Sequence, residues 1–132
     1  MTNARRSWSD GEKPRIMVVE DDADSAIGLE RLLTLFGYEI RVEHDGLAAV
    51  RCAREFVPWA ALIDLTLPKL DGCGVARRLR ENAETRDSVL IAMTGWGDDA
   101  HYVSSFQAGF DRHLIKPLTV ETLMDALMAT HA

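Results

Sequence analysis

The sequence has little of what disulfide-rich, membrane-spanning or nucleic-acid-binding proteins need. It has only two cysteines, Cys52 and Cys73, without metal-site spacing, and they are interpreted as idle thiols in a reducing cytosol. No apolar run approaches the roughly 20 residues that a membrane-spanning helix requires. Lys and Arg number 15 against 21 Asp and Glu, so the net charge is -6. We therefore expect no direct binding to nucleic acid or to a membrane.

The length and composition predict one globular domain. The chain has 132 residues, of which 47% are hydrophobic and 27% charged. The N-terminal stretch MTNARRSWSDGEKP is polar, and no apolar segment follows its two arginines, so it is not a secretory signal. We predict a disordered tail over residues 1–13, one domain over residues 14–132, and a cytoplasmic location.

Five apolar segments alternate with five segments of helical periodicity. Because nearly every apolar segment is hydrophobic on both faces, the pattern predicts parallel strands covered by helices, a doubly wound α/β sandwich of five βα units. Thr119 is a predicted helix N-cap, and Gly37 and Gly109 are predicted helix ends. The predicted strands are 15–20, 38–44, 59–65, 88–94 and 112–116, and the predicted helices are 23–37, 45–56, 71–82, 98–109 and 119–132.

Charged and polar residues stand at the ends of four predicted strands. Right-handed crossovers place the carboxyl ends of parallel strands along one edge, where such sheets bind ligands. Clustered carboxylates repel one another, so the group is tolerable when a divalent cation and a lysine neutralise it. Oxygen ligands without His or Cys suit magnesium, and the sequence therefore predicts an acidic Mg²⁺ pocket. The residues are Glu20, Asp21, Asp64, Thr94 and Lys116.

Four motifs, in this order, resemble the receiver domain of two-component response regulators. They are VVEDD (18–22), LIDLTLPKLDG (62–72), IAMTG (91–95) and HLIKP (113–117). The resemblance implies a flavodoxin-like fold, similar to chemotaxis regulators, with sheet order 2-1-3-4-5. The stretch AGFDRHLIKP also resembles receivers attached to hybrid sensor kinases. Whether the receiver stands alone or belongs to a larger chain stays open.

The resemblance also implies roles for the acidic residues. Asp64 is the expected phosphoacceptor and a ligand of Mg²⁺. Asp21 is expected to bind the metal directly and Glu20 to act through a water molecule. Thr66, two residues after Asp64, is expected to offer its backbone carbonyl to the metal. Asp22 comes one position too late for the acidic pair and is assigned to the start of the first helix.

Thr94 and Lys116 are expected to bind phosphoryl oxygens, with Lys116 pairing one oxygen and Thr94 donating a hydrogen bond to another. His113 stands three residues before Lys116, where the family often has an aromatic rotamer switch; a plain strand residue is the alternative reading. Trp96 and Thr66 are expected to border the path of the attacking water and so to modulate dephosphorylation.

The implied function is phosphoryl transfer from a sensor histidine kinase or a histidine phosphotransfer protein to Asp64. The surface formed by the fourth helix, fifth strand and fifth helix then switches and signals to a downstream protein. The protein is expected to catalyse only its own phosphorylation and dephosphorylation, and so not to be an enzyme in the usual sense. A homodimer through the last helices is left open. The surface includes His101, Tyr102, Phe106, Met124 and Met128.

Three alternative functions involve the same residues. A flavin or nucleotide binder would need a phosphate-binding loop after the first strand, and EDDAD at 20–24 repels phosphate. A phosphatase with an aspartyl nucleophile would need a second acid where Thr66 stands. A pseudo-receiver, which keeps the fold and binds proteins without phosphorylation, stays open as the main alternative.

Overall fold

A computed structural model describes residues 13–95 and 106–128 of the chain. Five strands form one parallel sheet in the order β2-β1-β3-β4-β5, which confirms the predicted fold class and order. Because the order reverses between β1 and β3, the carboxyl ends of these two strands border the switch point where such sheets bind ligands. The strands are β1 (Arg15–Val19), β2 (Glu39–Glu43), β3 (Ala60–Asp64), β4 (Val89–Thr94) and β5 (Arg112–Ile115).

Helices connect the strands and cover both faces of the sheet. Residues 106–108 are also helical, and Gly109 follows with φ +114. Most of the predicted fourth helix, 98–109, lies outside the described residues, as do most of the predicted N-terminal tail and the last four residues. Within the described ranges, no helix is long and apolar enough to cross a membrane. The full helices are α1 (Ala23–Leu35), α2 (Gly46–Phe56), α3 (Gly72–Glu81) and the C-terminal helix (Val120–Met128).

Each face of the sheet has its own hydrophobic core. On β1, Met17 and Val19 pack against α2 and α3, whereas Ile16 and Val18 pack against α1 and the C-terminal helix. Side chains that follow each other on a strand point to opposite faces, so a strand covered twice must be apolar throughout. This explains the uninterrupted apolar segments of the sequence.

Each full helix begins at a polar side chain that accepts a backbone N–H. Asp22 Oδ2 accepts from Ser25 N at 3.0 Å, Asp45 Oδ1 from Ala48 N at 2.8 Å, and Asp71 Oδ1 from Gly74 N at 2.8 Å. Thr119 Oγ1 accepts from Thr122 N at 3.0 Å, which confirms its predicted capping role. These bonds satisfy amides of the first helical turn and explain why three strand–helix junctions carry an aspartate.

The apolar stripe of α1 is wider than the face that the helix buries. Leu33 is fully buried, but Ile27 is 43% exposed, Leu35 84% and Phe36 53%. Residues two positions apart on a helix point in nearly opposite directions, so Leu33 and Leu35 cannot both face the sheet. The apolar pattern of this segment therefore indicates a helix without showing which of its apolar residues are buried.

The amino end of the sheet, where the strands begin, is closed by aromatic packing. Trp59 is 2% exposed and stacks on Tyr38, with ring centroids 6.1 Å apart and planes at 6°. Beside it, Ser88 Oγ donates to the carbonyl of Pro58 at 2.7 Å. Burial raises the pKa of the Tyr38 hydroxyl. These contacts join the residues that precede β2, β3 and β4.

Arg80, at the end of α3, binds several backbone groups at the same end of the sheet. Its Nη1 donates to the carbonyls of Arg86 at 2.7 Å and Ser88 at 2.6 Å. Its Nη2 donates to the carbonyl of Gly109 at 2.6 Å and to Asp111 Oδ2 at 3.0 Å. The guanidinium thus joins α3, the segment before β4 and the turn before β5.

Candidate functional site

Glu20 follows β1 and turns its side chain into the protein at the carboxyl end of the sheet. It is only 1% exposed. Its Oε1 accepts a hydrogen bond from Lys116 Nζ at 2.6 Å, and its Oε2 accepts from the amide of Asp22 at 3.3 Å. A carboxylate this deep in the protein needs such partners because burial disfavours its charged form.

Asp64 is the last residue of β3, and its two carboxylate oxygens have different partners. Oδ2 accepts from Lys116 Nζ at 2.7 Å, and Oδ1 accepts from the amide of Thr66 at 2.9 Å. The chain returns closely past it: a Cβ on Gly72 would lie 2.5 Å from the carbonyl oxygen of Asp64. The glycine in the motif LDG is therefore a requirement of this close approach.

Thr94 and Lys116 complete this end of the sheet. Thr94 is the last residue of β4 and is 4% exposed. Its carbonyl accepts from the amide of Lys116 at 2.7 Å, so β5 delivers the lysine next to β4. The Lys116–Pro117 peptide is cis.

The three charged side chains shift one another's protonation. Burial, reinforced by the nearby Asp64, raises the pKa of Glu20 even though Lys116 opposes the shift. Burial alone would lower the pKa of Lys116, but its bonds to Asp64 and Glu20 outweigh this and raise it. The ammonium is therefore held charged between two acids, and Glu20 is the acid that burial penalises.

The acidic residues fit a hard divalent cation. Glu20, Asp21 and Asp64 can each offer one carboxylate oxygen, and these oxygens lie within 4.8 Å of one another. Asp21 is exposed, so one side of the group is open to solvent. A set of oxygen donors without His or Cys, open to water, is what Mg²⁺ prefers, since this ion usually keeps several waters.

The other residues that the sequence predicts for the site differ in how they relate to the three carboxylates and Lys116. Thr66 is exposed and next to it, and its amide is bonded to Asp64. His113 lies within β5 and is half-buried, in register with Ala92 of β4. Trp96 lies outside the described residues, and so do His101 and Tyr102 of the predicted signalling surface. On that surface, Phe106 is 43% exposed and Met128 64%, whereas Met124 is half-buried.

The corner between β2 and α2, residues 44–46, also contacts the site, although no sequence motif pointed to it. The His44 ring is hydrogen-bonded to the backbone carbonyl of Glu20 at 2.9 Å. The amide of Gly46 donates to the carbonyl of Pro68 at 3.2 Å, and Asp45 pairs with Lys69 at 3.7 Å. No sequence motif indicates these contacts, because the first depends on the register of β2 beside β1 and the other two on the path of the loop after β3.

Comparison with known proteins agrees with this geometry. A family model described as response regulator receiver domain matches residues 16–128. The transcriptional regulatory protein PrrA of Mycobacterium tuberculosis is 35% identical over 116 residues, which cover 88% of this chain and 49% of PrrA. The chain spans about half the length of the curated relatives it matches.

Solved structures are similar over nearly the whole chain. The receiver domain of sensor histidine kinase PA1611 from Pseudomonas aeruginosa PAO1, crystallised with a magnesium ion in its active site cleft, gives a TM-score of 0.84 at 30% identity. The similarity covers 91% of this chain and 98% of that one. A putative response regulator from Chloroflexus aurantiacus gives 0.81 at 28% identity, covering 89% and 99%.

Proposed function

The chain belongs to the response regulator receiver domain family, and from this premise we propose that Asp64 accepts a phosphoryl group from a histidine kinase or a histidine phosphotransfer protein. The observation that carries the proposal is the position of Lys116 Nζ, 2.7 Å from Asp64 Oδ2 and 2.6 Å from Glu20 Oε1. The ammonium group of Lys116 therefore lies close to where the negative oxygens of a phosphoryl group on Asp64 would be.

The transfer requires Asp64 to act as a carboxylate. One of its oxygens attacks phosphorus, the phosphorus–nitrogen bond of the donor phosphohistidine breaks, and the released imidazole takes up a proton. Lys116 and Thr94 bind the equatorial oxygens, so the protein contributes mainly positioning and charge neutralisation. The protein modifies itself and does not turn over a pool of substrate.

Asp21, Asp64 and Glu20, together with the backbone carbonyl of Thr66, would hold a Mg²⁺ ion. When bound, the ion screens the repulsion between the attacking carboxylate and the incoming phosphoryl group. Lys116 neutralises only part of the negative charge of these carboxylates, so the remaining charge would attract the cation.

Phosphorylation would switch the surface formed by β5, the C-terminal helix and the helix that ends before Gly109. Thr94 would move its hydroxyl to the phosphoryl group, and His113 would turn into the space left behind. Thr66 and Trp96 would limit the access of water and so prolong the phosphorylated state. A downstream protein would bind the switched surface in the cytoplasm. Burial raises the pKa of Cys52 to about 11, so this free cysteine would stay a thiol there.

Incubation with Mg²⁺ and acetyl phosphate, followed by intact mass measurement, tests the proposal. We expect the wild-type protein to gain the mass of one phosphoryl group and Asp64→Asn to gain none. Asp125→Asn, an exposed acid on the C-terminal helix, is the matched control and should gain it too. Unmodified wild-type protein would favour the alternative, a pseudo-receiver that binds partners without phosphorylation.

A further inference from the structure

We propose that His44 is a positioning residue that orients the metal-binding acids through the backbone of Glu20. The inference rests on the proposed function, because it concerns how this chain holds the same Mg²⁺ site. It starts from one contact, between His44 Nδ1 and the carbonyl oxygen of Glu20 at 2.9 Å. A carbonyl can only accept, so Nδ1 carries the proton and donates.

The contact stands where the backbone ladder between β1 and β2 would otherwise continue. The last bond of the regular pattern runs from the amide of Glu20 to the carbonyl of Glu43 at 3.0 Å. In a parallel ladder the next bond would run from the amide of residue 45 to the carbonyl of Glu20. At that point the chain leaves β2, since Asp45 is the N-cap of α2. The His44 ring supplies a donor to this carbonyl in place of a strand.

This bond acts on Asp21 because the peptide unit is planar. The Glu20 carbonyl belongs to the peptide that links Glu20 to Asp21, so fixing its oxygen fixes the direction in which the chain enters Asp21. Glu20 is anchored by its own side chain, whereas Asp21 is exposed at the rim. His44 therefore orients the acid that has the least support from burial.

The corner that carries His44 is itself held in place. A Cβ on Gly46 would lie 1.8 Å from the carbonyl oxygen of Leu70, so the corner and the loop after Asp64 are in direct contact. The Gly46 amide is bonded to Pro68 O at 3.2 Å in the same loop. One corner thus contacts both halves of the site, the acids after β1 and the acceptor loop after β3.

Two substitutions of similar shape separate donation from packing. Asn places an amide nitrogen at the position of Nδ1, whereas Leu fills a similar volume without a donor. We expect His44→Leu to weaken Mg²⁺ binding about tenfold in titration calorimetry, the lower end of the usual effect of residues that orient metal ligands. We expect His44→Asn to stay within about twofold of wild type, since a backbone-directed hydrogen bond is retained. Leu47→Ala, a nearby exposed position on α2, should bind Mg²⁺ as wild type does.

Two further measurements distinguish positioning from a general loss of structure. In His44→Leu, acetyl phosphate labelling at saturating Mg²⁺ should recover the wild-type rate, so that only the Mg²⁺ concentration at half-maximal rate changes. In the metal-free protein, amide hydrogen exchange at residues 20–22 should speed up in His44→Leu and not in His44→Asn.

Three results would overturn the inference. They are wild-type Mg²⁺ affinity in His44→Leu, equal weakening in the Leu and Asn variants, and unchanged exchange at residues 20–22. All three leave the proposed function intact if wild-type protein is still phosphorylated on Asp64. Wild-type protein that binds no Mg²⁺ would overturn both.

Discussion

The two ends of the sheet differ in the kind of side chain that they bury. At the carboxyl end, Glu20, Asp64 and Lys116 gather buried or half-buried charge, and the pKa of Glu20 is raised because burial penalises its ionised form. At the amino end, Trp59 packs on Tyr38 and Arg80 satisfies backbone carbonyls. The amino end stabilises the fold, whereas the buried charge at the carboxyl end lowers its stability and supplies a reactive group.

A single strand contributes to both ends of the sheet. The segment from Trp59 to Asp64 is buried throughout, yet it begins in an aromatic stack and ends in a carboxylate. The five residues of β3 separate the two ends. Substitutions at one end should therefore leave the property of the other end largely unchanged.

The largest effect should come from Trp59→Ala at the amino end. Removing a fully buried indole leaves a cavity, and we expect the free energy of unfolding to fall by about 4 kcal/mol. Chemical denaturation measures this loss, and Trp59→Phe should recover part of it. At a low temperature at which Trp59→Ala remains folded, it should still be phosphorylated within about twofold of the wild-type rate, since substitutions at distant sites act independently. Loss of phosphorylation in the folded variant would show that the two ends are coupled.

Lys116→Ala should have the largest functional effect at the carboxyl end. Without the ammonium, the oxygens of the transferring group lose a positioned cation, and we expect phosphoryl uptake to slow about 100-fold. Mg²⁺ binding should become tighter, because the carboxylates keep their full negative charge. Mass spectrometry and calorimetry measure the two effects, and Lys13→Ala is the control at an exposed lysine. Weaker Mg²⁺ binding would contradict the role of Lys116 as the competing counter-charge.

Arg80→Ala should again act on stability alone. Bonds from a charged donor to partly buried carbonyls are strong, so we expect the free energy of unfolding to fall by about 2 kcal/mol. Arg78→Ala, an exposed position on the same helix, should change it by less than about 0.5 kcal/mol. Equal effects of the two substitutions would mean that the Arg80 contacts contribute nothing specific.

The smallest effect concerns the pH dependence of Glu20. Its folded pKa lies above the ordinary value of 4.5, so the folded state binds this proton more tightly than the unfolded state. The contribution of Glu20 to stability therefore increases as the pH falls from 7 towards 4.5. Glu20→Gln should melt at a higher temperature than wild type at pH 7 without metal, and the difference should shrink on acidification. Melting curves between pH 4.5 and 7 measure it, and an unchanged difference would contradict the assignment.

The sequence predicted those parts of the molecule that depend on local pattern. All five strands and the starts and ends of the full helices, apart from the end of the C-terminal helix, lie within about two residues of their predicted bounds, because apolar runs and capping residues are local signals. The last four residues of the predicted final helix lie outside the described residues. Asp22 was correctly separated from the acidic pair, since it caps α1. The meeting of Glu20, Asp64 and Lys116 at one edge followed from the parallel order.

Contacts that depend on register and on turn geometry were not predictable. His44 reaches Glu20 only because β2 ends one residue earlier, and Arg80 reaches Gly109 across 29 positions of sequence. Leu35, which is 84% exposed, shows that an apolar residue in a helical pattern need not face the core. Hydrophobic pattern reports which face is apolar, and only packing decides how much of it is covered.

The pairing of Glu20 with Lys116 spans 96 positions of the chain. During synthesis the ribosome releases Glu20 long before the lysine that neutralises it, and closing so distant a pair costs more chain entropy than closing a local contact. We therefore expect the acids after β1 and β3 to stay hydrated and without this counter-charge until Lys116 has been synthesised. We expect the reactive end of the sheet to be completed only after the last strand has left the ribosome.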